Sequence, residues 1–111
     1  MRNQLEIEGN LAGDPCLYVN TPATKVVGFA IVNEYDRTGR THKVKLNCKA
    51  YGSIALALYN TVKKFDKIDI KGHLHQRTWE KDGIVKTEML IIVDSFNRDK
   101  ESQLDFNLLE V

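Results

Sequence analysis

Alternation of apolar and polar residues with a period of two is the feature that most limits what this chain can fold into. In the segment KVKLNCKAY, residues 43–51, valine, leucine, cysteine and alanine occupy every second position. This period puts alternate side chains on opposite faces of a β-strand. Similar alternation in residues 4–8 and 68–79 predicts two more strands. The more continuously apolar segment 25–35 predicts a centrally buried strand, and segment 84–96 predicts a strand that returns beside the one before it.

Only one segment has helical spacing, and it lies between the third and fourth predicted strands. Ser53 is a candidate N-cap for this helix of about three turns. Lys63 and Lys64 would lie near its end, where cations favour the helix dipole. The apolar residues at helical spacing are Ile54, Leu58, Val62 and Phe65.

Glycine and proline mark the turns. Gly9, Gly13 and Pro15 end the first strand, the polar segment 36–42 predicts a mobile hairpin tip, and Lys81-Asp82-Gly83 predicts a hairpin between the last two strands. Three strands, a helix and a two-stranded hairpin predict an all-β fold with one helix, the five-stranded OB-fold Greek-key barrel. We expect residues 1–96 to form this domain and residues 97–111 a short C-terminal tail.

Length and composition favour a single cytoplasmic domain. The 111 residues suffice for one modest core. No apolar run approaches the roughly 20 residues that cross a bilayer, and the N-terminus lacks the apolar region of a secretory signal. Cys16 and Cys48 have no metal-ligand spacing, so we expect two reduced, partly buried thiols.

Charge is unevenly distributed along the chain although the formal net charge is only +1. Residues 37–86 contain twelve lysines or arginines and four acidic residues, whereas the flanking segments contain four basic and eleven acidic residues. A localised positive field of this kind suits a polyanionic partner.

Cations and aromatic residues are predicted to share one face of the sheet. If the strands at 43–51 and 68–79 lie in one curved sheet with their apolar faces inward, their basic faces point outward together. The residues concerned are Lys43, Lys45, Lys49, Tyr51, Lys71, His73, Arg77 and Trp79. Lysine and arginine neutralise phosphates and exposed rings stack on unpaired bases, so the pattern predicts a single-stranded nucleic acid as the ligand. The alternative is a solvated face whose Tyr51 and Trp79 are covered by a loop or a subunit.

Catalysis and metal binding find little support. The chain has no Walker loop, no H-E-x-x-H motif, no G-x-S-x-G motif and no evident acid pair, so we expect no enzyme activity and no cofactor. His73 and His75 are too few for a tetrahedral metal site, and the third histidine, His42, lies in a predicted loop.

Two segments resemble the single-stranded DNA-binding proteins of bacteria and phages. The first, LEIEGNLAGDPCLYVNTPATKVVGFAI, contains a turn typical of that family. The second, AYGSIALALYNTVKKFDKIDIKGHLHQRTWEKDG, matches the family's helix, its Ile-x-Gly-x-Leu strand and its Arg-x-Trp hairpin. The likeness extends over about residues 3 to 94. The residues that match the turn are Gly9, Asn10, Leu11, Asp14 and Pro15.

The resemblance implies binding and protection of single-stranded DNA with little sequence preference, in replication, recombination, repair or mobile-element metabolism. It implies stacking of bases on Tyr51 and Trp79, with Tyr35 a looser match, and it places Lys45 where the family has a tryptophan. We therefore expect weaker binding with stronger salt dependence. The cations Arg37, Arg40, Lys81 and Lys86 complete the predicted nucleic-acid-binding set.

The resemblance also implies a homodimer or homotetramer, replication or recombination proteins as possible partners, and no membrane association. Because only LDFNLLEV stands where cellular members have a long linker and an acidic tip, we expect a short form of the family. Two other functions remain open from the residues: a protein-interaction module of a replication or primosome-like complex, and an RNA-binding OB domain.

Overall fold

A computed structural model describes residues 1–21 and 24–98 of the protein. This part of the chain contains six strands and one helix, in the order β1 Leu5–Leu11, β2 Cys16–Thr21, β3 Thr24–Arg37, β4 Arg40–Tyr51, α1 Gly52–Thr61, β5 Lys67–Lys81 and β6 Ile84–Arg98. Most of the predicted tail, residues 99–111, lies outside the described residues, and the last strand continues to Arg98.

The strands form the predicted five-stranded barrel. Their order is β1-β5-β6-β4-β3, and a further pairing of β1 with β3 closes the circle. All pairings within the barrel are antiparallel except that of β4 with β6. The buried side chains inside include Val27, Ile31, Leu58, Ile68 and Ile70. The predicted fold class is therefore confirmed.

The prediction of three strands before the helix was wrong, because the segment after Pro15 forms a strand of its own. β2 pairs with residues 24–28 of β3, whereas β1 pairs with β3 only at Leu11↔Ile31 and Asn10↔Val32. The early part of β3 would otherwise have a free edge, and the strand-forming segment CLYVNT occupies it.

The helix has about the predicted three turns, but it begins and ends earlier than predicted. Tyr51, not Ser53, is the N-cap residue, and no side chain caps this end. Val62, the C-cap residue, has an extended backbone, so the helix ends before it reaches Phe65. Phe65 is 69% exposed instead of buried, and Lys64 lies beyond the last turn.

A network of hydrogen bonds holds the segment after the helix against the turn between β1 and β2. The Lys64 backbone N–H donates to Asp14 Oδ1 at 2.8 Å, and the Phe65 N–H donates to the Leu11 carbonyl at 3.0 Å. Asp66 accepts bonds at 3.0 Å from the Lys63 N–H and from Arg98 Nε. The Gly-Asn-Leu-x-x-Asp-Pro turn therefore has a structural role in this protein.

Both long hairpins end in two-residue turns. Thr38-Gly39 joins β3 to β4 and Asp82-Gly83 joins β5 to β6, all four residues having positive φ, as in type I′ turns. The second hairpin confirms the prediction. In the first, five of the seven residues predicted as a mobile tip belong to the paired strands.

A bulge in β6 changes which residues face the core. Lys71 pairs with Ser95 and Gly72 with Val93, leaving Asp94 without a partner residue in the ladder. The bulge reverses the alternation, so Val93 and Phe96 both pack on the core although they are three residues apart.

Candidate nucleic-acid interface

The lysine-rich face of β4 points away from the core, as its alternation predicts. Cys48 and Ala50 are buried inside the barrel, whereas Lys45, Lys49 and Tyr51 lie on the opposite side of the strand. This side of β4 supplies the central part of the candidate interface.

β6 and β5 extend the same face. β4 and β6 pair in parallel at Lys49↔Ile92, so the outward side of β4 continues onto β6. Leu90 and Glu88 follow on that side of β6, and Glu88 pairs with Arg77 of β5. The outward residues of β5 thereby come beside those of β4.

These outward faces enclose an open cleft of about 790 Å³. Small residues of β3, Gly28 and Ala30, contribute to it and leave space above the sheet. Four of the thirteen predicted binding residues line this cleft: Lys45, Lys49, Tyr51 and Arg77. The cleft therefore brings together three of the predicted cations and one predicted aromatic ring.

Arg77 connects Trp79 to an acidic residue. Its guanidinium carbon lies 4.5 Å from the centroid of the Trp79 ring, and its Nη2 lies 3.5 Å from Glu88 Oε2. Trp79 is half-buried and pairs across the hairpin with Lys86. One face of the Trp79 indole is thus covered by the Arg77 guanidinium, which is itself paired with the Glu88 carboxylate.

Lys45 and Lys49 have no ion-pair partner within residues 1–21 and 24–98. Lys43 lies two residues before Lys45 on the same face of β4, and its Nζ is 3.4 Å from Glu34 Oε1. Two lysines of the cleft therefore carry charge that no described carboxylate pairs with, whereas Lys43 is paired.

Lys71 and His73 lie outside the cleft and beside acidic residues. Lys71 Nζ is 4.0 Å from Glu6 Oε1 across the β1–β5 ladder, and His73 Nδ1 is 3.1 Å from Asp94 Oδ2. β5 curves around the barrel, so its first half faces β1 while only its second half reaches the cleft. The structure therefore does not bring Lys71 to the cleft residues. His73 pairs with Ile92, the partner of Lys49, so it shares the outward face of the sheet without lining the cleft.

The remaining predicted residues lie on the protruding hairpins. Tyr35 stacks on His42 with ring centroids 5.3 Å apart, on the side of the ribbon opposite Lys43. The other four are exposed: Arg37 and Arg40 flank the first turn, and Lys81 and Lys86 lie on the second hairpin.

Tyr18 and Glu88 line the cleft but were not in the predicted set. Tyr18 lies on β2, the strand that the sequence analysis missed; the alternation in CLYVNT after Pro15 was the available signal. Glu88 is acidic, so the pattern of cations and aromatic rings that predicted the binding residues does not include it.

The two thiols differ in environment. Cys48 is buried in the core, and this burial raises the pKa of its thiol to about 12. Cys16 is exposed at the rim of the cleft, unlike the partly buried thiol we expected, and both cysteines are free.

The described part of the chain contains no helix long and apolar enough to cross a membrane. Within it, no group of three or more histidine, cysteine or acidic residues is arranged to hold a metal ion.

A small closed barrel with a helix between its strands, and a cleft lined by lysines and aromatic rings, define a nucleic-acid-binding protein of the OB class. A model of the Single-strand binding protein family matches residues 2–99. The chain belongs to this family.

Individual relatives agree with this assignment. A single-stranded DNA-binding protein from Aquifex aeolicus (strain VF5) is 29% identical over an aligned length of 114 residues. The match covers 94% of this chain and 76% of that protein. The wild-type single-stranded DNA binding protein from Thermus aquaticus has a TM-score of 0.77 at 21% identity, and a deletion mutant of it a TM-score of 0.74, also at 21%. Each match covers 88% of this chain and 50% of the solved one, so this chain spans about half the length of those structures.

Proposed function

We propose that the protein binds single-stranded DNA along the cleft, with little sequence preference, and protects the strand. The observation that carries this proposal is the meeting, on one face, of exposed Tyr51, the Arg77–Trp79 pair and two lysines in no described ion pair. Bases stack on the rings while Lys45, Lys49 and Arg77 neutralise phosphates.

The geometry favours a single strand over a duplex. Stacking on a protein ring requires the face of an unpaired base, which a duplex buries within its own stack. Cations on the hairpins, Arg37, Arg40, Lys81 and Lys86, would extend the positive field beyond the cleft.

We infer that the protein acts by binding and not by catalysis, in the cytoplasm, during replication, recombination or repair of DNA. Family membership supports assembly into a homo-oligomer, and we propose a dimer or tetramer. Measurement of the mass in solution tests the assembly: a monomer at micromolar concentration would contradict it.

A competition experiment tests the choice of ligand. A fluorescently labelled oligo-dT bound to the protein is displaced with unlabelled oligo-dT, with a duplex of equal length and with oligo-U. We expect oligo-dT to compete best and the duplex worst, because only unpaired bases can stack. Stronger competition by oligo-U would identify an RNA-binding protein, and no binding of any of the three would leave the face to a protein partner.

A further inference from the structure

We propose that Tyr18 is an additional base-stacking platform, supported from below by Gly28, which extends the DNA path across the β2 edge of the sheet. This inference rests on the proposed function and adds a subsite to it.

The strand register places Tyr18 and Tyr51 in one row. Tyr18 pairs with Val26 of β3, and Val26 pairs with Tyr51 of β4, so the three side chains share a face. Val26, flanked by the two tyrosines, is only 3% exposed although it is not part of the core cluster. Two strand spacings separate the tyrosine backbones, about 10 Å. The two rings can therefore serve two different bases.

Gly28 lets the Tyr18 ring approach the sheet. A Cβ atom at position 28 would lie 3.2 Å from Tyr18 Cε2, closer than ordinary van der Waals contact. The ring therefore leans over the glycine, yet 54% of Tyr18 remains exposed. An aromatic ring backed by the sheet and open to solvent is the arrangement that a stacking platform needs, because a ring that already rests on the sheet loses less rotamer freedom when a base arrives.

A cation for the adjoining phosphate is already present. The next row across the same strands is Cys16, Gly28 and Lys49. Lys49 thus lies beside the position that the Tyr18 ring covers, and all three residues line the cleft. The strand can pass from Tyr51 to Tyr18 while one lysine contacts the phosphate between the two bases.

Replacement of the platform tests its contribution. Tyr18→Ala should weaken oligo-dT binding at least about fivefold, the lower end of the cost of losing one base–aromatic stack. Tyr18→Phe should bind like the unchanged protein, since the ring is kept. Tyr59→Ala is the matched control: Tyr59 is 43% exposed but lies on α1, away from the cleft lining, and its removal should leave affinity unchanged.

Gly28→Ala tests the support. The added methyl group would move the ring by a few tenths of an ångström, so affinity should fall by less than in Tyr18→Ala. In the Tyr18→Ala background the same change should have no further effect. An equal loss in both backgrounds would show that Gly28 acts on the DNA by itself and would overturn its supporting role.

A fluorescence reporter separates failure of this inference from failure of the proposed function. The variant Tyr18→Trp is made with Trp79→Phe, so that its only indole stands on β2. We expect oligo-dT to quench this indole, and to quench Trp79 in the unchanged protein. Quenching of Trp79 without quenching at position 18 would overturn the platform and leave the proposed function intact. No quenching and no binding in either protein would overturn both.

Discussion

The Arg77 guanidinium lies over the Trp79 ring, 4.5 Å from its centroid, while Glu88 contacts the same guanidinium at 3.5 Å. A base and a phosphate approaching this part of the cleft must compete with groups of the protein. The phosphate competes with Glu88 for Arg77, and the base competes with Arg77 for one face of Trp79. The free protein thus holds its tryptophan partly covered.

Removing the charge of Glu88 is expected to strengthen DNA binding. In Glu88→Gln the carboxylate no longer competes with phosphate, and the value of a partly exposed ion pair corresponds to an increase of about twofold to fivefold in affinity. Titration of labelled oligo-dT at low salt measures it. Glu6→Gln removes a comparable partner of Lys71 outside the cleft and should have no effect. Equal affinities of the Glu88 variant and the unchanged protein would contradict the competition.

Lys45 occupies the position where the family resemblance places a tryptophan. We expect Lys45→Trp to exchange a phosphate contact for a stacking contact. The slope of log affinity against log salt should become shallower by about 0.7, the value for one phosphate of a single strand. Binding at high salt should become tighter. Lys63→Trp is the control, because Lys63 lies after the helix and outside the cleft; it should change the slope little and add no affinity at high salt. An equal gain in affinity from Lys63→Trp would show a general effect of an added indole.

Phe65 adopts a φ of +72°, a conformation that costs a non-glycine residue of order 1–3 kcal/mol. Its ring is mostly exposed, so Phe65→Gly loses little buried surface and should raise the free energy of unfolding by about 0.5–1 kcal/mol. Urea denaturation measures the change. The neighbouring residue Lys64 does not have a positive φ, so Lys64→Gly should instead lower the free energy of unfolding. A loss of stability in Phe65→Gly would show that its contact with Lys64 outweighs the strain.

The thiols should differ in reactivity. Cys16 should react with iodoacetamide in the folded protein, whereas Cys48 should react only after unfolding, because it is buried and its pKa is raised to about 12. Mass spectrometry after a short labelling pulse distinguishes them. The folded protein holds the Cys48 proton more tightly than the unfolded chain, so this group lowers stability as pH rises from about 9 towards 12. Rapid labelling of Cys48 at neutral pH would contradict its burial.

The sequence predicted the faces of the sheet well where the alternation was unbroken. In β4 every second residue from Lys45 to Tyr51 points outward, because a period of two leaves no other way to bury Leu46, Cys48 and Ala50. The two-residue turn at Asp82-Gly83 followed from its composition in the same way.

Other parts of the site depended on distant contacts that no local pattern contains. β2 forms because part of β3 has a free edge, and this depends on where β1 ends. Lys71 shares the alternation of Arg77, but it lies on the part of β5 that pairs with β1, where its side chain meets Glu6. Tyr18 was missed with its strand. A strand's faces were therefore predictable, and its path around the barrel was not.

Titration of the protein with oligo-dT, followed by the fluorescence of Trp79, tests the central claim most directly, because Trp79 is the only tryptophan in the chain. At low salt we expect strong quenching as a base displaces Arg77 from the ring, and an affinity that decreases as salt is raised. Absence of both quenching and binding at low salt would contradict the account and would show that this face does not bind single-stranded DNA.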